Sequence, residues 1–159
     1  MVVPTSATKG YSKTLMTTVV VEPVVAASDD VVAAFHRLIP QLSTSSRPIT
    51  KSELAEIVDS ESTVLFAARS DGEIVGLLTL ATFRIPTAVR AWIEDVVVDE
   101  RARGKGVGEA LNQAALAEAR RRGAKTVDLT SRPSREAANR LYQRIGFVRR
   151  DTNVYRYEC

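Results

Sequence analysis

The order of hydrophobic patterns in this chain predicts an α+β fold, a mixed sheet with flanking helices. Three observations predict it. Short runs rich in Val, Thr and Ile are separated by Asp, Ser, Gly and Pro, as strands between turns are. Ser70-Asp71-Gly72-Glu73 between two apolar runs is a hairpin signal, which makes the flanking strands neighbours. The run ending Val96-Val97-Val98 passes through a basic, Gly-rich turn into a pattern with helical period.

Taken in order, residues 1–13 are Ser/Thr/Gly/Pro-rich and read as a flexible segment, with a single domain over residues 14–159. Residues 15–25 read as a strand whose far end Pro23 limits. Asp29 or Asp30 caps a helix running to about Leu38 or Ile39, and Pro40 permits a break there. The polar link 41–48 is either a loop near a site or a plain connection. Thr50 with Glu53 is a capping-box pattern for a helix ending near Val58. Residues 63–68 and 74–83 are the hairpin strands, Pro86 sits in a loop, and residues 91–98 form the next strand. The helix over residues 106–122 carries Val107, Ala110, Leu111, Ala114 and Ala115 on one stripe, and Gly123 closes it. A strand over 126–130 and a helix over 135–144 follow, stopped by Gly146; residues 147–149 and 153–158 read as two short terminal strands.

Composition bounds the function. The chain of 159 residues is long enough for one substantial core, and 45% hydrophobic with 26% charged residues is ordinary globular composition. The net charge of +3 favours anionic partners, and a phosphorylated cofactor accounts for it as well as nucleic acid does. No basic run is interleaved with aromatics, so nucleic acid is not an expected partner. Cys159 is the single cysteine, which excludes an internal disulfide or a cysteine-based zinc site and agrees with a reducing, cytoplasmic setting. His36 stands alone, so a metal site has almost no candidates. No stretch approaches the roughly 18 apolar residues of a membrane span, and a signal peptide is not supported.

Chemistry concentrates in the turn Arg103-Gly104-Lys105-Gly106-Val107-Gly108 with Glu109 beyond it. Glycines let a backbone approach a ligand closely, and a helix start offers unpaired N–H groups and the positive end of its dipole. This is a pyrophosphate or phosphate cradle; the alternative is a tight solvent-facing turn. A Walker A sequence is absent, and the glycines come too late in the chain, after too long a basic turn, for a dinucleotide fingerprint.

Arg103-x-x-Gly106-x-Gly108 after Val96-Val97-Val98 resembles the acyl-CoA motif of the GNAT family of N-acetyltransferases. The run Ala138-Asn139-Arg140-Leu141-Tyr142-Gln143-Arg144-Ile145-Gly146-Phe147 resembles the same family's Leu-Tyr-x-x-x-Gly-Phe ending. The resemblance covers roughly residues 15–158. It implies acetyl-CoA as cofactor, with coenzyme A as product. Pantetheine would lie along the backbone of Val96, Val97 and Val98, and the pyrophosphate on Arg103, Gly104, Lys105, Gly106, Val107 and Gly108, with Glu109 in the first helical turn. Arg101 is a solvated or ribose-phosphate-side charge.

The implied reaction is direct acyl transfer to a primary amine, with Tyr142 as the acid that protonates the leaving thiolate; the alternative role for Tyr142 is packing. Arg135, Asn139 and Tyr142 fall within a ~60° arc at roughly 100° per residue, so one face could line the cofactor. Many relatives carry Asn where this chain has Arg135; Asn139 takes that work or Arg135 reaches a phosphate. Glu94 or Asp95 serves as base or ammonium anchor, Glu94 sharing parity with Trp92, Val96 and Val98. Ile93-Glu94-Asp95 resembles the glucosamine-6-phosphate branch, from which Thr130-Ser131-Arg132-Pro133 departs. Ser131 and Arg132, and on the last strand Asn153 and Tyr155, are candidates for the acceptor walls. The expected acceptor is a small-molecule amine. A protein or peptide amine is the enzyme alternative, and a non-catalytic acyl-CoA sensor the alternative of another class. A homodimer is compatible with exposed terminal strands that invite pairing, though no residue specifies it.

Overall fold

A computed structural model describes residues 18–159. The flexible segment expected over 1–13 and the first residues of the predicted strand lie outside the described residues. Strand β1 is Val20–Pro23, followed by helices α1 (Asp29–Leu42) and α2 (Lys51–Asp59) and strands β2 (Thr63–Ser70), β3 (Glu73–Ile85) and β4 (Ala88–Val98). A single 3-10 turn, Glu100–Ala102, precedes helix α3 (Val107–Arg121), strand β5 (Ala124–Asp128) and helix α4 (Glu136–Arg144). The five strands form one sheet in sequence order, antiparallel from β1 to β4, with β5 parallel to β4. The expected mixed sheet with helices on it is the observed fold.

Each face of the sheet has its own core. Phe66, Leu78, Leu80, Ala91 and Ile93 pack against Val107, Leu111 and Ala115 of α3. On the opposite face Leu65, Ala67, Leu77 and Val97 meet Val31, Phe35 and Leu38 of α1 and Leu54 of α2. Leu38, Leu54, Leu80 and Leu111 are wholly buried, each contributing about 1.5–3 kcal/mol of transfer free energy. Both halves of the Thr50–Glu53 capping box are present at the start of α2.

The differences from the sequence reading have identifiable causes. Helix α1 does not break at Pro40 but runs to Leu42. Pro40 lies in the last turn, where its missing N–H costs one hydrogen bond, and Ser43 N–H closes the turn onto Ile39 O at 2.9 Å. Strands β3 and β4 continue towards each other until Ile85 pairs with Ala88, leaving only Pro86 and Thr87 between them. A turn suits Pro86 because a turn needs no ladder donor there. Strand β5 begins and ends two residues earlier than expected, its pairing to β4 stopping at Trp92–Asp128.

The two terminal strands expected at 147–149 and 153–158 are not formed: residues 148–159 belong to no strand and are all exposed. Neither edge of this chain's sheet pairs with them.

The irregularity in β4 has the widest consequences. Leu77 pairs with Val97 and Thr79 with Glu94, so Asp95 and Val96 of β4 lie opposite the single residue Leu78 of β3. This is a β-bulge, and Asp95 sits in it at φ +50°, a left-handed conformation that Asp tolerates better than most residues. The bulge inverts the alternation. Val96 and Val98 pack on the α3 side with Ile93, while Val97 joins the α1/α2 side. The parity argument that grouped Glu94 with Val96 and Val98 is therefore corrected: an extra residue lies between them.

Gly76 of β3 lies beneath α3, and a Cβ there would come within 2.9 Å of both Val107 Cγ1 and Leu111 Cδ1. Gly76→Ala is expected to destabilise the protein by about 1–3 kcal/mol through overpacking, read as a lower midpoint in denaturant unfolding.

Candidate active site

The glycine turn is built as a donor cradle. Gly104 and Gly106 adopt φ of +74° and +80° with open space where a Cβ would stand. Gly106 is the N-cap of α3 and has no side chain to cap it. Among the described residues the backbone N–H groups of Gly104, Lys105, Gly106, Val107, Gly108 and Glu109 donate to no backbone carbonyl. The turn and the first helical residues thus leave unpaired donors at the positive end of the α3 dipole. Gly108 serves a different purpose: Leu141 Cδ2 of α4 lies 3.2 Å from where its Cβ would be, so its smallness lets α4 close onto α3.

A gap in the sheet lies beside the cradle. Beyond Trp92–Asp128, residues 93–98 of β4 have no ladder partner on the β5 side. Their other side stays paired to β3 through Val97 and Val98. The free edge alternates N–H and C=O groups, the set to which an extended amide-containing chain adds. Arg103 Nε reaches the Val98 carbonyl at 3.4 Å. Unpaired amides for a pyrophosphate, exposed Arg103 and Lys105 near it and a free strand edge beside it together fit an acyl-CoA.

Arg101 is exposed, yet its guanidinium is held in ion pairs. It pairs with Asp99 at 2.9 Å and Glu73 at 3.2 Å. Asp99, 1% exposed, also binds Arg37 Nη1 of α1 at 2.5 Å and accepts from Arg101 N–H. Its hydrogen bonds from Arg101 hold its carboxyl down at about 2. Arg37 donates further to Ile74 O, and Gln41 Oε1 of α1 accepts from Glu100 N–H. Helix α1 is thereby tied to the turn that leads into the cradle. Sequence reading missed Asp99. Its one local signal is an Asp capping a short turn two residues before an Arg; Arg37, 62 positions away, carries none.

The α4 residues diverge. Tyr142 is half-buried, stacks edge-on with Phe147 at 5.8 Å, and its phenol is pushed above its ordinary pKa by burial, against the opposing charge of Arg135. Asn139 donates to Arg132 O at 2.9 Å and Arg135 to Leu42 O at 3.2 Å. Asn139 thus braces the loop before α4, and Arg135 ties the start of α4 to the end of α1. Glu109 binds Arg144 at 2.8 Å, joining α3 to α4. Glu94 and Asp95 are both exposed, and Trp92 Nε1 donates to Glu94 at 2.7 Å. Ser131 Oγ is buried without a hydrogen-bond partner among the described residues. Asn153 and Tyr155 lie in the exposed C-terminal stretch and build no wall in this chain.

Fold and site together define an acyltransferase architecture: a sheet that opens beside a helix-start anion cradle. The model of the acetyltransferase (GNAT) family matches residues 31–147, and the chain belongs to that family. Over 71 residues, 45% of this chain and 47% of the other protein, it is 35% identical to N-alpha-acetyltransferase 30 of Schizosaccharomyces pombe. The match thus spans about half of that relative's length. An acetyltransferase structure from Trypanosoma brucei superposes with a TM-score of 0.72 at 26% identity, over 89% of this chain and 100% of that one. Glucosamine-6-phosphate N-acetyltransferase from Arabidopsis thaliana gives 0.74 at 21% identity over 88% and 98%, a likeness of fold.

Asp99→Asn is expected to lower stability by about 1–3 kcal/mol at neutral pH, because two guanidinium partners lose their counter-charge. The Asp99 carboxyl is depressed in the folded state, so its contribution is full above the unfolded carboxylate range and is lost as pH falls through about 2. The gap between wild type and variant in thermal unfolding should therefore close towards pH 2.

Proposed function

We propose that the protein moves the acetyl group of acetyl-CoA onto the primary amine of a small molecule, by direct transfer in a ternary complex. The observation that carries this reading is the run of unpaired backbone N–H groups from Gly104 to Glu109 beside the free edge of β4. Bound there, acetyl-CoA supplies an activated acyl carbon with a thiolate leaving group. Residues 104–109 hold the pyrophosphate, with Arg103 and Lys105 adding charge, and Val96, Val97 and Val98 offer their backbone to pantetheine. The acceptor attacks as the neutral amine, and Glu94, or Asp95 beside it, takes the proton its nitrogen gives up, directly or through water. As the new C–N bond forms and the C–S bond breaks, Tyr142 gives its phenolic proton to the sulfur. The Tyr142 phenol is protonated at neutral pH and burial pushes its pKa further up, so the proton is present for transfer.

The small-amine reading is supported by the likeness of fold to glucosamine-6-phosphate N-acetyltransferase, whose named acceptor is a small amine. The second reading, acetylation of a protein N-terminus, is favoured by the stretch shared with N-alpha-acetyltransferase 30. A thiol-release screen against amino sugars, polyamines, amino acids and short peptides separates the two.

Tyr142→Phe should lower kcat about a hundredfold or more while leaving the KM for acetyl-CoA little changed; unchanged turnover would remove Tyr142 from the acid role. Calorimetry should show acetyl-CoA binding that Gly106→Val weakens, because a β-branched residue resists φ +80° and fills the cradle. No heat of binding to the wild-type protein would overturn the cofactor assignment.

A further inference from the structure

We propose that Trp92 is a positioning residue that holds Glu94 ready for the proton of the attacking amine, an inference that rests on the acyl-transfer reading above. Glu94, and not Asp95, is then the base. Trp92 and Glu94 are two apart on β4 and both precede the bulge, so their side chains leave the same face of the strand. Trp92 Nε1–H donates to Glu94 Oε1 at 2.7 Å. An indole nitrogen donates and never accepts, and the ring is half-buried on a paired strand, so the sheet sets its direction. Opposite on β3 stand Ala81 for Trp92 and Thr79 for Glu94, both small enough to let the ring lie along the strand.

A second carboxylate stands beside the indole, since Asp128 is the register partner of Trp92 on β5. Arg90 Nη2 donates to that carboxylate at 2.8 Å, so its charge is already met and the indole N–H is left to Glu94. Glu94 makes no salt bridge among the described residues, and its Oε2 accepts no side-chain hydrogen bond there. Held at Oε1, the carboxylate keeps Oε2 open. An exposed Glu without a partner wanders over its rotamers, whereas one fixed donor selects the arrangement that proton transfer needs. Asp95 has no such restraint: it is exposed, lies in the bulge at φ +50°, and makes no side-chain hydrogen bond or salt bridge among the described residues. Place favours Glu94 too. Trp92–Asp128 is the last pair joining β4 to β5, and Glu94 stands two residues beyond it, at the head of the gap. There Oε2 takes the amine proton as the C–N bond forms. The C–S electron pair leaves on sulfur, which receives the Tyr142 proton; Glu94 then loses its proton to solvent and Tyr142 regains one from it.

Trp92 is the only tryptophan of the chain, so a proton–nitrogen correlation spectrum of the isotope-labelled full chain holds one indole cross-peak. Glu94→Ala should move that peak upfield and speed its exchange with water, while Asp95→Asn leaves it in place. An indole peak indifferent to Glu94→Ala would overturn the pairing. Thiol release from acetyl-CoA, with glucosamine, spermidine, lysine and a short peptide as acceptors, reads the consequence for transfer. Trp92→Phe keeps the aromatic body and removes the N–H; it should lower kcat about tenfold with the KM for acetyl-CoA little changed. Glu94→Ala should lower kcat about a hundredfold or more. Adding Trp92→Phe to Glu94→Ala should cost nothing further, because the indole acts only through that carboxylate. Equal losses in both backgrounds would mean that Trp92 acts by packing, and would overturn the proposal; so would an unchanged kcat in Trp92→Phe. Wild-type protein that acetylates none of the four amines would strike the acyl-transfer reading and this role with it, a result distinct from wild-type turnover that Trp92→Phe leaves intact.

Discussion

Strand β4 holds two residues, Asp95 and Val96, opposite Leu78 of β3, and the left-handed Asp95 that makes this possible organises what surrounds it. Upstream of the bulge, Ala91 and Ile93 face α3; downstream, Val96 and Val98 take over that side and Val97 is turned to α1 and α2. One extra residue thus lets a single strand feed both cores while passing from a paired to an unpaired edge. The bend falls just past Trp92–Asp128, where β5 leaves the sheet. A backbone held in this sparsely populated region stores strain, and it persists because β3 pins β4 on either side of the bulge. Glu94 and Asp95 carry their carboxylates into solvent at the mouth of the gap.

Electrostatics then sorts the cations around the turn into two kinds. Arg37 and Arg101 are neutralised by Asp99 and Glu73, so they fasten α1 to the end of β4. Arg103 and Lys105 make no salt bridge among the described residues and leave the field of the helix start positive. A buried carboxylate with two guanidinium partners is stable only because the hydrogen bonds are well made on both sides. That rigidity reaches the glycine turn through Ala102, itself buried against the α3 core.

Helix α4 is held more lightly. It has no fully buried residue, and its attachment rests on Leu141 over Gly108, the Glu109–Arg144 pair and the Tyr142–Phe147 contact. An element so sparsely packed lies at the low-stability end of the structure. The proposed acid therefore sits on a helix able to adjust, while the exposed donor cradle is fastened at both ends by buried Ala102 and Val107.

Local signals were legible wherever they are complete within a few residues. The capping box at Thr50 and Glu53, the turn at Asp71-Gly72, the glycines opening α3 and the period of Val107, Leu111 and Ala115 each specify their own geometry through sterics and nearby hydrogen bonds. The strand-turn-helix and the Leu141-Tyr142 run carried the family likeness for the same reason. Tertiary structure alone decided the rest. A bulge depends on the register of two strands, so no alternation count along β4 could foresee that Val97 and Val98 would change faces. Asp99 finds Arg37 only when α1 crosses the sheet, and Arg135 finds Leu42 only when α4 meets the end of α1. The strand-like pattern of residues 153–158 stands in the sequence, but pairing is a property of edges, and the sheet of one chain leaves that edge empty. Short-range sterics are written in neighbouring residues; register, long-range charge pairing and the fate of an edge exist only after the chain has closed on itself.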